Sequence, residues 1–194
     1  MLTEKEIQIN REYFNELALQ TILRKGNAEF LSWLSDTDFF HAPASSKYHG
    51  NYDGGLCEHS LAVYRNLRNM IDKLDPYFAS DESIALVSLY HDACKINLYE
   101  KYLRYVKNDK TGEWEQVECY KIFDPMSFGA HGAKSMYMVM HFMNLSVTEA
   151  TAILHHMGAW DKSDYTNPGN VYEWNRLAWY LHLADEAATY GDKK

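Results

Sequence analysis

Between Thr3 and Leu23 the apolar residues Ile7, Tyr13, Phe14, Leu17 and Ile22 recur near helical spacing, which predicts an amphipathic helix over 3–23. Thr3 with Glu6 three residues on is the signature of a capping box at its start. Gly26 punctuates its end, and a second helix is predicted from Asn27 to Leu34. From Ser35 to Gly55 the chain carries Pro43, Gly50, Gly54 and Gly55 among polar residues, so a long loop is expected. Loops of that length inside a domain are often functional. Helical spacing returns over 56–74 and stops before Pro76, and Ser80 can cap a helix carrying Ile84, Leu86, Val87 and Leu89. The period then changes. Tyr102–Lys107 and Glu113–Ile122 are rich in Tyr, Trp and Val and flank Asn108-Asp109-Lys110-Thr111-Gly112, a β-hairpin signal. Helices are predicted again over 129–144, 148–158 and 171–190, with Thr148 before the second and Asn167, Pro168 and Gly169 before the third. The pattern as a whole predicts a mainly α fold, a helical bundle with one small β-hairpin.

Several polar residues fall on faces that this pattern expects to be buried. His59 shares its helix face with Val63, Asn66 and Leu67, and His91 follows Ile84 and Val87 by seven and four residues, with Asp92 beside it. His131 lines up with Ser135 and Met138, His155 and His156 end the apolar run Ala152-Ile153-Leu154, and Asp185 lies between Leu181 and Ala188. An aspartate buried there without a partner would be costly, and a bound cation would remove the cost. A bundle can gather such ligands from facing helices. Mixed imidazole and carboxylate donors suit Mn, Fe, Co, Ni or Zn. Asp92 is the natural bridge between two ions, because a carboxylate has two oxygens. One histidine on an apolar face is usually a hydrogen-bonded core residue; the ordered set carries more weight than any member.

Composition narrows the reading. The 194 residues suit one structural domain, and an excess of eight acidic charges disfavours long nucleic acid, which needs a basic surface. No apolar run reaches the length of a membrane span, and the charged start Met1–Phe14 lacks the apolar core of a secretory signal. The three cysteines, Cys57, Cys94 and Cys119, are odd in number and show no CxxC spacing, so reduced buried thiols in a cytoplasmic protein are expected.

The ordered motifs resemble those of the HD-domain superfamily of metal-dependent phosphohydrolases. Gly-Gly-Leu-Cys-Glu-His-Ser (54–60) resembles the first histidine segment, Leu-Tyr-His-Asp-Ala-Cys-Lys (89–95) the His-Asp motif, and Phe-Gly-Ala-His-Gly (128–132) the third segment. Leu-His-His-Met-Gly (154–158) resembles the double-histidine segment, and Leu-His-Leu-Ala-Asp-Glu-Ala-Ala (181–188) the closing aspartate helix. The nearest flavour is the HD domain of a bacterial 3′→5′ exoribonuclease, without its oligonucleotide-binding domain. The signature of the cyclic-dinucleotide phosphodiesterase branch is also missing, so neither substrate transfers. The resemblance implies N-terminal helices (1–47) packed on an HD-type metal-binding domain (48–190), the two forming one structural domain. It implies one metal held by His59, His91, Asp92 and Asp185, and a second held by His131, His155 and His156 with Asp92 bridging. The ions would be one or two divalent cations (Mn, Fe, Ni, Co, Zn or Mg).

The activity so implied is hydrolysis of a phosphoester, of a nucleotide or short oligonucleotide, by a metal-activated water. Asp92 and Lys95 would be the catalytic residues. Lys95 could hold a phosphate oxygen if the helix continued past Asp92, or be a solvated lysine at a helix end. His49, with Tyr48 and Tyr52, could line the substrate cleft or pack the loop. His182 could support the site, while His41 and His141 match no motif. Arg104, Lys107 and Trp114 could touch a nucleotide or form a solvated hairpin face, and Trp160, Asp161 and Tyr165 could form a lid. Two other functions fit the same motifs: a dinuclear iron oxygenase of the HD fold, and a non-catalytic nucleotide-binding HD module. The partner expected is a small phosphate-bearing molecule, with no membrane.

Overall fold

The computed structural model describes residues 1–125, 128–161 and 166–191. The described residues contain eight α-helices and one hairpin, in the order α1 (Glu4–Thr21), α2 (Asn27–Ser35), α3 (Gly55–Leu74), α4 (Asp81–Tyr90), β1 (Tyr99–Lys107), β2 (Trp114–Ile122), α5 (His131–Met140), α6 (Val147–Leu154), α7 (Pro168–Trp174) and α8 (Arg176–Glu186), with short 3-10 and π turns between or after them. The fold is mainly α with a single two-stranded antiparallel sheet. No described helix is long and apolar enough to cross a membrane.

The capping box at Thr3 is present: its hydroxyl accepts from the Glu6 amide, and Glu6 reaches back to the Thr3 amide at 2.7 Å. Further along, several boundaries differ from the periodic pattern, α5 among them, which is shorter at both ends than the predicted 129–144. The helix expected from Thr148 begins at Val147, because Ser146 and Glu149 form a second capping box. It ends at Leu154 rather than 158, since His155 leaves helical dihedrals and Gly158 takes a positive φ of 54°. The helix expected over 171–190 is two helices. Asn175 takes φ −131° and ψ 88°, ends α7, and caps α8 by accepting from the Ala178 amide. Asn167 and Pro168, expected to separate elements, instead start α7: Pro168 occupies its first turn, where no backbone donor is lost.

One buried apolar cluster extends from Phe14 in α1 through Phe30, Leu67, Ile84 and Val87 to Ile153 and Leu181. Burying each such side chain stabilises the fold by about 1.5–3 kcal/mol. α3 packs against α4 and α8, and α6 packs against α4, α5 and α8, so the N-termini of α3 and α5 and the C-termini of α4 and α6 converge. Buried polar groups pin the helices. The Tyr90 hydroxyl donates to Asn27 Oδ1 at 2.7 Å, and Asn27 Nδ2 donates to the carbonyls of Ala18 and Ile22. Arg24 makes a two-pronged contact with Glu149 at 2.8 and 2.9 Å and a further one with Glu82 at 3.3 Å, joining the end of α1 to α6 and α4.

The hairpin is longer than predicted by three residues at the start of β1, and its nine pairs run unbroken from Tyr99↔Ile122 to Lys107↔Trp114. Gly112, at φ 75°, supplies the left-handed residue that closes the turn by donating to the Asn108 carbonyl. Asp53 anchors the base, accepting from Lys101 Nζ and the Tyr120 hydroxyl at 2.6 Å each.

Candidate metal centre

His59 lies in the second turn of α3. His91 is the C-cap of α4, and Asp92 opens a short 3-10 turn over Ala93–Lys95. His131 is the first residue of α5, His155 and His156 follow the end of α6, and Asp185 is in the last turn of α8. Helix ends therefore supply most of the ligand candidates, where backbone direction changes and side chains can point along the bundle axis.

The carboxylate of Asp92 sits at the middle. Its Oδ1 lies 2.7 Å from His131 Nε2 and 3.6 Å from His156 Nε2. Its Oδ2 lies 2.6 Å from Lys95 Nζ, 3.4 Å from His91 Nε2 and 3.7 Å from His59 Nε2. Asp185 Oδ1 lies 3.0 Å from His59 Nε2 and 4.0 Å from His91 Nε2. The 3.0 Å approach is not aligned as a hydrogen bond, and His59 Nε2 has no hydrogen-bond partner.

The protonation of two rings follows from their backbone contacts. His91 Nδ1 lies 2.8 Å from the Ser88 carbonyl, and His156 Nδ1 lies 2.6 Å from the Ile153 carbonyl. A carbonyl only accepts, so each Nδ1 carries the hydrogen, and in a neutral ring Nε2 is a bare lone pair. Both Nε2 atoms are buried without hydrogen-bond partners, like that of His59. Bare lone pairs aimed at buried carboxylates repel, and unsatisfied buried polar atoms are costly. A cation among them removes both penalties. A backbone acceptor on the far nitrogen is also what orients a metal-ligating imidazole. Three overlapping groups place their donor atoms within 4.8 Å of one another and could hold a metal ion: His59–His91–Asp185, His91–Asp92–His156 and Asp92–Cys94–His131.

Electrostatics agree with this arrangement. Burial pushes the Asp92 carboxyl up, but Lys95, His91 and the hydrogen bond from His131 outweigh it and hold it well below the usual carboxylate range. Burial likewise opposes ionisation of Asp185, and His59 outweighs it. Lys95 is 8% exposed; burial disfavours its charge, and Asp92 more than restores it.

Not every expected residue joins the cluster. His155 is half-buried at the C-cap of α6 and belongs to none of the three donor groups. Lys95 lies on a 3-10 turn, because α4 stops at Tyr90, and it folds back onto Asp92 while lining the cleft. His49 packs against His59 with ring centroids 4.8 Å apart and the rings tilted by 40°. Burial, then the neighbouring His59 and Lys95, push its pKa down to about 4. His182 accepts a supporting position: its Nδ1 lies 2.7 Å from the His156 carbonyl and its ring stacks on Tyr172. His41 and His141 are exposed. Cys94 is a free buried thiol, as expected, and its Sγ also lies 3.3 Å from His131 Nδ1, a contact that sequence spacing does not anticipate.

The cluster forms the floor of a cleft of about 1360 Å³, reached by His59, Lys95, His131 and Asp185. Tyr48, Arg65 and Trp160 stand along its walls. Tyr52 also lines it, with its hydroxyl donating to Glu58 at 2.6 Å. Of the residues expected to form a lid, Trp160 is at the cleft and Tyr165 lies outside the described residues. No protein-family model, no curated protein and no solved structure matches this chain.

Proposed function

We propose that the protein is a metal-dependent phosphohydrolase of the HD type, acting on a small phosphate-bearing substrate such as a nucleotide. The observation that carries the reading is the set of three buried, partnerless Nε2 atoms of His59, His91 and His156, facing the carboxylates of Asp92 and Asp185. These residues, with His131, would hold one or two divalent ions, and Asp92 would face both through its separate oxygens. Such an ion supplies a water of lowered pKa and stabilises charge on the phosphoryl oxygens. Lys95 holds Asp92 in place and presents an ammonium at the cleft floor, where it can meet a phosphate oxygen. His131, partly exposed and 2.7 Å from Asp92 Oδ1, lies on the side of that carboxylate away from Lys95, where it would be the ligand nearest the open cleft. The ordered motifs, ending in a cleft large enough for a nucleotide, support the substrate class.

The test is metal analysis of the purified protein, followed by turnover assays with phosphomonoesters, phosphodiesters and nucleotides after loading with Mn, Co, Ni, Fe or Zn. Divalent metal at one or two equivalents and hydrolysis lost in Asp92→Asn would support the reading. A metal-loaded protein inactive on all three classes would sink the hydrolase assignment; oxygen uptake by an iron-loaded form would favour the oxygenase.

A further inference from the structure

The hairpin leaves an edge with nothing on it. Among the described residues, no backbone hydrogen bond joins Tyr99–Lys107 to anything except β2. Every residue from Glu100 to Lys107 is exposed. Apolar side chains stand in solvent on both faces: Leu103, Tyr105 and Trp114 on one, Tyr102, Val106 and Val117 on the other. A two-stranded ribbon alone is marginal in water, and an exposed edge is a template for another strand. β1 lacks the proline or bulge that commonly blunts such an edge, since its nine pairs are continuous.

We propose that β1 pairs antiparallel with β1 of a second copy of this chain, with Tyr102 opposite the second copy's Tyr102, giving a four-stranded sheet across a two-fold axis. The register follows from geometry and charge. Successive residues turn their N–H and C=O to opposite edges of a strand. In a symmetric pairing through one edge, both members of an opposed pair must therefore be even-numbered or both odd-numbered. Centring on Glu100, Lys101 or Arg104 sets like charges face to face. Centring on Leu103 or Tyr105 pairs no charges within the strand. Centring on Tyr102 sets Glu100 opposite the second copy's Arg104, and the two-fold repeats that pair. Among the described residues Arg104 has no ion-pair partner, whereas Lys101 is engaged by Asp53 and Glu118; Glu100 meets Lys121 at 2.9 Å on the β2 side and in the dimer would stand between that lysine and the second copy's Arg104. In this register Lys101 opposes Leu103, so no repulsion is created. The corresponding pairing of β2, aligning Glu115 with Lys121, would force Glu118 against its own copy, so β1 is the edge that fits.

Sedimentation equilibrium and light scattering at tens of micromolar would test this on the full chain. The wild type is expected to run at twice its 22.6 kDa mass. Arg104→Glu, and separately Glu100→Arg, should weaken the dimer about tenfold or more. The double exchange Glu100→Arg with Arg104→Glu should restore it. Both residues concerned are solvent-exposed, and circular dichroism would confirm that each variant is folded. A monomeric wild type, including one that associates only with added nucleic acid or another protein, would overturn the proposal. So would a dimer indifferent to Arg104→Glu, or one that the double exchange fails to rescue.

Discussion

His131 Nε2 lies 2.7 Å from one oxygen of Asp92, and Lys95 Nζ lies 2.6 Å from the other. One buried carboxylate thus faces the histidines of α5 and α6 through Oδ1 and those of α3 and α4 through Oδ2. Removing its charge should disconnect both sides at once. Asp92→Asn is expected to lower bound divalent metal at least about tenfold, as read by elemental analysis after equilibrium dialysis. Unchanged metal content would place the ions elsewhere.

Lys95 should separate binding from chemistry. It is held by Asp92 yet lines the cleft. Lys95→Met removes a cation that competes for Asp92 Oδ2, so metal affinity should be equal or higher. Turnover should fall about 10²-fold or more if the ammonium meets the transferring phosphoryl group. Parallel titration and kinetics would read the two effects, and loss of both together would make Lys95 a purely structural partner.

Metal should stabilise the fold, because the partnerless Nε2 atoms of His59, His91 and His156 gain a ligand only in the native state. At a hundredfold excess over Kd the gain is about 2.7 kcal/mol. For a chain of this size that raises Tm by roughly 5–10 °C, measured by calorimetry with and without a chelator.

Acid should expose the Glu149 network. Burial would raise this carboxyl, but Arg24 and the Ser146 amide outweigh it and hold its pKa at about 2 against an ordinary 4.5. A carboxyl depressed in the folded state contributes stability that is full above pH 4.5 and is lost as pH falls from there through about 2. The contribution is about 3 kcal/mol at most. Denaturant titrations across this range should show stability falling in the wild type and a shallower fall in Glu149→Gln, which would be less stable near neutrality.

Gly132 should tolerate no side chain. A Cβ there would lie 2.0 Å from the Leu154 carbonyl oxygen, a backbone atom that cannot swing away. Gly132→Ala must push the start of α5 off the end of α6, at a cost of about 1–3 kcal/mol. Because His131 and His156 ride on those two ends, metal affinity should fall along with stability in chemical denaturation.

Much of this molecule is written locally. Helical periodicity locates the helices from α1 to α6, and the change to alternating Tyr, Val and Trp locates the hairpin, because amphipathic periods depend only on which face meets the core. Helix ends depend on more than period. Asn175 breaks what looks like one continuous helix over 171–190, since its side chain satisfies the Ala178 amide while its backbone leaves the helical region. Cys94 shows the same limit at the site: nothing in its spacing says that its sulfur rests against His131, which comes from another helix.

Periodicity and residue order are enough to specify a mainly α chain with one hairpin and an ordered set of histidines and aspartates on faces that should be buried. Which of these side chains meet depends on how the helices pack. That packing brings His59, His91, His131, His156 and Asp185 around Asp92, leaves His155 outside the donor groups, and turns Lys95 back onto the carboxylate. The physical reason is that these residues sit at helix ends. Where a helix stops, one residue of difference in the cap redirects the side chain, and long-range packing sets the cap.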